Sequence, residues 1–435
     1  MKIRLTNIRG FEGTHEVNIR PITVLLGENS SGKTTLLASI YAALNRDFPT
    51  TENVFNRAPF DLGSFDTIAT YRGGKYGRAS SFSLGWEITQ SSSGAPRGIH
   101  ATFRSAGGTP RLDSFKATDG RNEINATATS KGLEVEVIAV RSPRSKNIPK
   151  PVSSKFTIPD DKRSKTFRFQ DLFRHFFDTL SVDGTITVSE RESRVIDVLQ
   201  TMTAQLPRLV PHVTALSPLR TRPRRTYDEL NDEFKPEGDH VPLVLARMLA
   251  GKQKESIPEL DALVKYGIAS GLFERIDVKR LGKQPSDPFQ VRVKMKGPEA
   301  NLVDVGYGVS QALPIIVDSL TAPNGEILLI QQPEVHLHPK AQAALGTFFA
   351  ELISTSKKQF VVETHSDYLV DRLRLAVADG VVKHTDVQLL YLERKGLDID
   401  VHHLELDTVG NIVNAPPGYR KFFLQEELKL MTRAA

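Results

Sequence analysis

The feature that most constrains this chain is a glycine-rich segment near its start that ends in a lysine and two threonines. Residues 27–35 read Gly-Glu-Asn-Ser-Ser-Gly-Lys-Thr-Thr, which fits the pattern G-x-x-x-x-G-K-[ST]. The apolar run at 21–26 predicts a strand directly before the segment, and apolar residues at helical spacing over 36–44 predict a helix directly after it. This strand–loop–helix order favours a phosphate-binding loop over an ordinary Gly/Ser turn.

Each residue type in this loop has a physical task. Glycines at 27 and 32 stand where a Cβ would crowd the backbone, so that N–H groups can point at phosphate oxygens. Lys33 is expected at the β- and γ-phosphates, Thr34 is expected to bind Mg²⁺ through its hydroxyl, and the following helix adds the positive end of its dipole. The predicted nucleotide-binding residues are Gly27, Glu28, Asn29, Ser30, Ser31, Gly32, Lys33, Thr34 and Thr35.

Length and composition limit the remaining choices. A chain of 435 residues with 39% hydrophobic residues can form two or three packed units, or one large unit with an insertion. The net charge of +6 permits contact with nucleic acid without establishing it. The absence of cysteine excludes disulfides, thiolate zinc sites and cysteine nucleophiles. No run of membrane-spanning length and no signal-peptide pattern occurs, so we expect a cytoplasmic protein without membrane contact.

Three later segments combine apolar elements with polar corners. Residues 326–330 predict a buried strand that leads into Gln-Gln-Pro-Glu-Val-His-Leu-His-Pro at 331–339, and 359–363 predict another strand that leads into Thr-His-Ser. The segment Tyr-Gly-Val-Ser-Gln at 307–311 precedes a helix predicted over 315–320. Glycine and serine before a helix N-terminus are typical of an anion-binding end.

Two basic stretches leave alternatives open. Residues 141–168 are rich in lysine, arginine and proline, which indicates an exposed insertion that is either a solvated loop or a contact for nucleic acid or a partner. Residues 216–227 are a strand end that runs into an arginine- and proline-rich loop. Arginine suits bidentate phosphate contact, so both phosphate binding and a plain surface loop remain open for this second stretch.

The ordered set of motifs resembles the ABC-type, AAA ATPase heads of the RecF, OLD (overcoming lysogenization defect) and SMC group. The resemblance implies an α/β fold, a P-loop NTPase head whose mixed β-sheet carries helices on its faces, with a small inserted basic and helical region. It implies an N-terminal lobe at 1–95 with the Walker A motif, an inserted region at 96–210, and a C-terminal lobe at 211–435. The last lobe holds the signature, Walker B, D-loop and switch histidine. Within this resemblance we expect an OLD-like ATPase without the acidic cluster of the TOPRIM nuclease that OLD proteins append.

The resemblance also implies roles for single residues. Gly308, Ser310 and Gln311 match the signature, and His365 matches the switch histidine that reaches the γ-phosphate. Gln331 and Gln332 occupy the Walker B positions, where the family carries two carboxylates. An amide cannot act as a base, so Glu334 is the predicted replacement base, and Glu363 is predicted to supply the carboxylate of the Mg²⁺ shell. His336 and His338 suggest either a metal site or, as we favour, D-loop packing and hydrogen bonding.

The implied function is that of an ATP-binding ATPase, with slow or partner-dependent hydrolysis. Two half-sites that must face each other imply an ATP-sandwiched homodimer. The first hypothesis is the sensor or regulatory ATPase of a bacterial anti-phage defence system with a separately encoded effector. The alternatives are a RecF-like DNA-repair clamp, for which DNA is the partner, and a non-hydrolysing scaffold that keeps ATP bound.

Overall fold

The structure is a computed structural model that describes residues 1–50, 52–74, 76–89, 95–139, 152–158, 171–182, 185–186, 190–228, 230–250, 258–284, 286–420, 425, 428–429 and 431. The chain divides into two compact units, each assembled from separate segments. The first unit contains Met1–Ile19, Thr35–His212 and Lys395–Ile399, and the second contains Arg20–Thr34, Val213–Arg394 and Asp400–Ala435. The division of the sequence into three consecutive parts stays a prediction.

Strands and helices alternate irregularly along the chain. The strands are β1 (Lys2–Ile8), β2 (Phe11–Asn18), β3 (Ile22–Leu26), β4 (Asn56–Arg57), β5 (Phe60–Asp61), β6 (Ser81–Thr89), β7 (Pro96–Ala106), β8 (Thr109–Thr118), β9 (Glu123–Thr129), β10 (Gly132–Ala139), β11 (Val152–Ile158), β12 (Ser181–Val182), β13 (Thr185–Ile186), β14 (Val213–Leu216), β15 (Arg275–Arg280), β16 (Phe289–Lys294), β17 (Ala300–Asn301), β18 (Ile327–Gln331), β19 (Gln359–Glu363), β20 (Val387–Lys395) and β21 (Asp398–Leu404). The helices are α1 (Lys33–Ala43), α2 (Phe65–Ile68), α3 (Asp171–Leu180), α4 (Glu190–Leu209), α5 (Val241–Ala250), α6 (Pro258–Ser270), α7 (Tyr307–Thr321), α8 (Pro339–Thr355) and α9 (Asp367–Ala378).

The first unit is built on an antiparallel sheet with the strand order β11-β10-β9-β8-β7-β6-β1-β2. Side chains of β1 alternate between the two faces of the sheet. Ile3 and Leu5 are fully buried on one face, whereas Arg4 lies on the other, where its Nε donates to Glu16 Oε1 at 2.8 Å. Strands β7 to β11 and helices α3 and α4 belong to the predicted insertion. Apart from β11, the basic stretch at 141–168 lies outside the described residues.

The second unit is built on a sheet with the strand order β14-β18-β19-β3-β20-β21. The four pairs from β14 to β20 are parallel, and every residue of β3 and β18 is buried, as is usual for parallel strands covered on both faces. Side chains of α7, α8 and α9 join the strands in one hydrophobic core, in which the rings of Phe349 and Phe360 lie 5.0 Å apart. The predicted α/β fold with a mixed sheet is confirmed.

The parallel arrangement gathers the polar segments that follow three of these strands. Strands β3, β19 and β18 are neighbours, so their carboxyl ends lie at the same edge of the sheet. The glycine-rich loop follows β3, Thr364 follows β19, and Gln332 follows β18. The sheet therefore places all three predicted corners at one edge.

The prediction for the helix near residue 315 was wrong about where the helix begins. Helix α7 begins at Tyr307, after Gly306 as its N-cap, and continues through Pro314. A proline inside a helix lacks its N–H donor and crowds the preceding turn. The helix tolerates Pro314 here because the ring packs against Gly238, where an added Cβ would lie 2.5 Å from the proline Cγ.

Two further expectations concern the C-terminal segment and membrane-spanning helices. The sequence after Gly418 predicts a terminal helix, and most of that segment, at residues 421–424, 426–427, 430 and 432–435, lies outside the described residues. Within the part of the chain that the structure describes, no helix combines the length and the hydropathy that crossing a bilayer requires.

Candidate active site

The glycine-rich loop of the second unit has the backbone that its sequence requires. Gly27 has a φ of +140° and Gly32 a φ of +94°, both in the region that favours glycine. A Cβ at residue 27 would lie 2.3 Å from the carbonyl oxygen of Leu392 and 2.7 Å from Ser31 Oγ. Ser30 also has a positive φ, of +61°. The loop is therefore tightly turned, and it has no room for a side chain at position 27.

Lys33 begins α1 and lies inside the curve of the loop. Its side chain is 3% exposed, and Nζ donates to the carbonyl oxygens of Gly27 at 3.0 Å and Glu28 at 2.7 Å. Burial lowers the pKa of the ammonium group, whereas the nearby charges of Glu363 and Glu334 raise it. The loop carbonyls thus hold a cation where the pattern predicts contact with the β- and γ-phosphates.

Thr34 contacts a carboxylate that lies far away in the sequence. Its Oγ1 donates to both carboxylate oxygens of Glu363, at 3.1 and 3.0 Å. Glu363 ends β19, pairs in register with Gln331 of β18 and is 4% exposed. The two strands are neighbours in the sheet, and the role of Glu363 stays a prediction. A hydroxyl beside a carboxylate offers the oxygen ligands that Mg²⁺ prefers.

The end of β18 carries amides where a carboxylate pair was expected. Gln331 is 5% exposed, and Gln332 has an unusual φ of +42° for a residue with a side chain. The N–H of Gln332 donates to the carbonyl oxygen of Glu363 at 2.8 Å, which ties the two strand ends together. The turn that follows therefore has a defined geometry, and it places Glu334 beside the corner after β19.

Glu334 is a partly buried carboxylate that accepts a backbone hydrogen bond from the corner after β19. Its Oε1 accepts the backbone N–H of His365 at 2.6 Å, and no hydrogen bond of normal geometry reaches Oε2 from the described residues. Burial raises the pKa of Glu334, opposed by the His365 N–H and by the charge of Arg220. A carboxylate with a raised pKa in a polar corner is a candidate general base.

The three histidines of these corners differ in their surroundings. His365 is an exposed residue, and desolvation of the part of its imidazole that faces the protein, together with the charge of Lys33, lowers its pKa. His338 caps α8, since its Nδ1 accepts the N–H of Lys340 at 3.2 Å, and the ring of His336 lies 5.9 Å from the ring of Tyr307. Neither His336 nor His338 belongs to a metal-ligating group of three side chains among the described residues.

The signature residues lie in the first turns of α7. Ser310 is 6% exposed and its Oγ donates to the carbonyl oxygen of Tyr307 at 3.0 Å, and Gln311 is buried as well. Gly308 allows a close approach, because a Cβ there would lie 3.2 Å from the carbonyl oxygen of His336. The role of the Ser310 side chain at an anion stays a prediction. Gly306 and Tyr307 are the exposed residues at this helix start.

One buried residue of this corner, Arg220, was not predicted from the sequence. Arg220 is 6% exposed, and its Nη2 donates to the carbonyl oxygen of Gln331 at 2.9 Å. Both of its terminal nitrogens lie 3.4 Å from the carbonyl oxygen of Gln332. The only signal in the sequence was its place four residues after a strand end, which left a surface loop equally open.

The space beside the loop is large enough for a nucleotide. A cleft of about 1130 Å³ opens at the first residues of the loop and is lined by Glu28, Asn29, His365, Tyr391 and Arg394, among others. Ligand clefts commonly have volumes of about 300–1,000 Å³. Thr35 belongs to the first unit, where its Oγ1 accepts from Arg9 at 3.2 Å. The Lys33 ammonium and the oxygen atoms of Thr34 and Glu363 are the kinds of group that suit a phosphate and Mg²⁺.

Comparisons with known proteins find similarity to ATPase-domain proteins. The family model described as AAA ATPase domain matches residues 220–370, and the model described as AAA domain matches residues 2–204. The OLD nuclease of Thermus scotoductus is 22% identical over 398 residues. This alignment covers 88% of the present chain and 62% of the nuclease, so the chain spans less than two thirds of that relative.

Solved structures with similar chains include two heads of SMC proteins. An SmcHead bound to the C-winged helix domain of ScpA aligns with a TM-score of 0.43 and 11% identity, over 93% of this chain and 97% of that one. The SMC head domain from Thermotoga maritima aligns with a TM-score of 0.41 and 9% identity, over 93% and 98%. The similarity to AAA ATPase-domain proteins rests on the sequence matches instead. The two domain models together include the glycine-rich loop, Glu334 and His365, so the chain is similar to AAA ATPase-domain proteins, and to an OLD nuclease, over the segments that form this site.

Proposed function

We propose that this chain binds ATP with Mg²⁺ and hydrolyses it slowly or only with a partner. The observation that carries the proposal is the contact between Thr34 Oγ1 and both oxygens of Glu363. In P-loop NTPases the loop threonine and a carboxylate from the Walker B strand hold the Mg²⁺ ion. Here the Walker B positions are amides, and β19 delivers the carboxylate from the adjacent strand instead.

The residues of the corner have separate tasks in this proposal. The Lys33 ammonium binds the β- and γ-phosphates, and Thr34 with Glu363 holds Mg²⁺, which neutralises charge on the transferred phosphoryl group. Glu334 accepts the proton of the attacking water, and the N–H of His365 keeps its carboxylate in place. The exposed imidazole of His365 reaches toward the γ-phosphate, as the family resemblance implies.

A second half-site supports the proposal of an ATP-sandwiched homodimer. The first N–H groups of a helix have no partner four residues back in the same helix, and at the start of α7 both Gly306 and Tyr307 are exposed. We propose that this start, rather than the Ser310 side chain, binds the γ-phosphate held by the opposite copy. Such an arrangement closes with two-fold symmetry, since each copy supplies one loop and one helix start.

Replacement of Gly306 by glutamate is expected to block ATP-dependent dimer formation without weakening ATP binding to the monomer. A Cβ at this residue meets no atom within 4 Å, so the fold accepts a side chain, while the carboxylate would repel the incoming phosphate. Light scattering with ATP and Mg²⁺ measures the effect, and Gly306→Ala is the matched control that should still form the dimer. An equal ATP-bound dimer in wild type and Gly306→Glu would contradict the sandwich.

The biological role that we propose is a sensor or regulatory ATPase in defence against phage, acting on a separately encoded effector. Support comes from the OLD nuclease relative, of which the chain matches 62%. A non-hydrolysing scaffold is the second candidate, favoured by the amides of Gln331 and Gln332. Both candidates use the same nucleotide site, and they differ in turnover.

Phosphate release by the wild-type chain separates these candidates. The protein is assayed with ATP and Mg²⁺ alone, with duplex DNA, and with the proteins that copurify when its native operon is expressed. Turnover that rises with a copurified protein supports the regulatory ATPase, and turnover that rises with DNA alone supports a DNA clamp. No turnover under any condition, with ATP still bound, contradicts the ATPase and supports the scaffold.

A further inference from the structure

We propose that Arg220 is a positioning residue of this site, which holds the turn after β18 and thereby the carboxylate of Glu334. The inference rests on the proposed function, because it assigns Arg220 a part in the hydrolysis attributed to Glu334. Arg220 lies outside the predicted motifs, and its guanidinium contacts the backbone carbonyls of Gln331 and Gln332.

The fold brings Arg220 to this position through the edge of the parallel sheet. Strand β14 pairs with β18, and its last residue, Leu216, lies opposite Ile330. The segment after β14 is fixed by backbone hydrogen bonds of 2.9 Å, from Ser217 to Pro236 and from Thr221 to Glu237. Arg220 therefore extends across the end of the neighbouring strand from a well-anchored segment.

The contacts use the shape of the guanidinium group. Nη2 donates to the carbonyl oxygen of Gln331 at 2.9 Å, and Nη1 and Nη2 both lie 3.4 Å from the carbonyl oxygen of Gln332. These carbonyls belong to the residues at which the chain leaves the sheet, where Gln332 has a φ of +42°. A planar fork can bridge two consecutive carbonyls, whereas the ammonium of a lysine is a point charge. The contacts thus fix the turn that leads to Glu334.

The charge of Arg220 also affects the protonation of Glu334. The charged groups that face Glu334 are Arg220 from the segment after β14, Lys33 from α1 and Glu363 from β19. Burial lowers the pKa of Arg220 to about 10, so the guanidinium stays charged at neutral pH. Burial raises the pKa of Glu334, and the positive charge of Arg220 opposes that rise. Arg220 therefore favours the ionised carboxylate that a general base requires.

Loss of the Arg220 charge is expected to change the pH dependence of kcat in one direction. A base works in its ionised form, so turnover falls as the pH decreases through the pKa of Glu334. Loss of the Arg220 charge raises that pKa further and moves the acid limb of the kcat profile to higher pH. A residue with a merely structural role would lower kcat without moving this limb.

The test compares Arg220→Gln with wild type, using Arg222→Gln on the same loop as the matched control, since Arg222 is exposed. We expect kcat to fall about 10- to 100-fold, KM for ATP to change less than about 2-fold, and the acid limb to shift upward. In a Glu334→Gln background, Arg220→Gln should add little further loss, because the two residues act together. Arg222→Gln should behave as wild type.

Several results would overturn the inference. An unchanged kcat, an unmoved acid limb, or a full additional loss in the Glu334→Gln background each contradicts positioning by Arg220 while wild-type turnover upholds the proposed function. No turnover by wild type overturns both. Thermal melting is measured first, and if Arg220→Gln does not fold, Arg220→Lys replaces it. This variant keeps the charge, so we expect kcat to fall with the limb near its wild-type position, and an unchanged kcat contradicts the inference.

Discussion

Replacement of Lys33 by alanine is expected to weaken ATP binding about 100-fold or more, down to the detection limit of calorimetry. The ammonium group is buried inside the loop, where two carbonyls orient it within 3.0 Å. Truncating one partner of a buried charged contact typically costs about 2–5 kcal/mol, and each 1.4 kcal/mol is tenfold in affinity. Titration with ATP and Mg²⁺ measures the loss directly.

The exposed Lys357 of the same unit provides the matched control. Lys357→Ala removes an equal charge from the surface and should keep the affinity of wild type. Melting temperatures of both variants show whether the fold survives. An unchanged affinity in a folded Lys33→Ala would contradict the nucleotide site itself, and with it the tasks assigned to Thr34 and Glu363.

Glu334→Gln and Glu363→Gln are each expected to lower phosphate release about 100-fold or more, while ATP still binds. Loss of a general base typically costs 10²- to 10⁴-fold, and an amide can neither accept a proton nor carry the charge that Mg²⁺ requires. The two variants should differ in their dependence on Mg²⁺. We expect Glu363→Gln to need more Mg²⁺, because Thr34 loses its charged neighbour, and Glu334→Gln to keep the Mg²⁺ dependence of wild type.

Glu351→Gln is the control for this pair, since Glu351 lies on the surface of α8 in an ion pair with Lys265. It should release phosphate at the wild-type rate. Brisk turnover in all three variants would show that both carboxylates are wrongly assigned and that the base comes from elsewhere, such as Asp304 or the opposite copy. If only Glu334→Gln loses phosphate release, the result would support Glu334 as the general base and contradict the proposed Mg²⁺ role of Glu363.

Local patterns in the sequence determined the elements around the phosphate loop. The strand Ile22–Leu26 and the helix Lys33–Ala43 lie where the apolar runs predicted them, and the loop glycines have the positive φ angles that their type suggested. The sequence also determined which chemistry is absent, because Gln331 and Gln332 cannot act as carboxylates. Such features depend on neighbouring residues or on side-chain type, so they can be predicted from the amino-acid sequence alone.

Local sequence patterns did not predict which residues of the site are buried. Every residue of α7 from Val309 to Leu320 is buried, so the helix has no polar stripe that marks its start or its orientation. The apolar pattern consequently predicted the start of this helix too late, at residue 315 instead of Tyr307. Arg220 was missed for a similar reason, because an arginine in a proline-rich loop is usually a surface residue.

Only the tertiary structure decided which residues meet. Thr34 and Glu363 are 329 positions apart, and their contact exists because β19 lies between β3 and β18 in the sheet. Arg220 reaches Gln331 because β14 pairs with the other side of β18. Strand order arises from packing among distant segments, and periodicity within one segment contains no information about it. The sequence by itself thus determined the loop and the missing carboxylates, whereas the strand order of the parallel sheet decided which charged groups surround them.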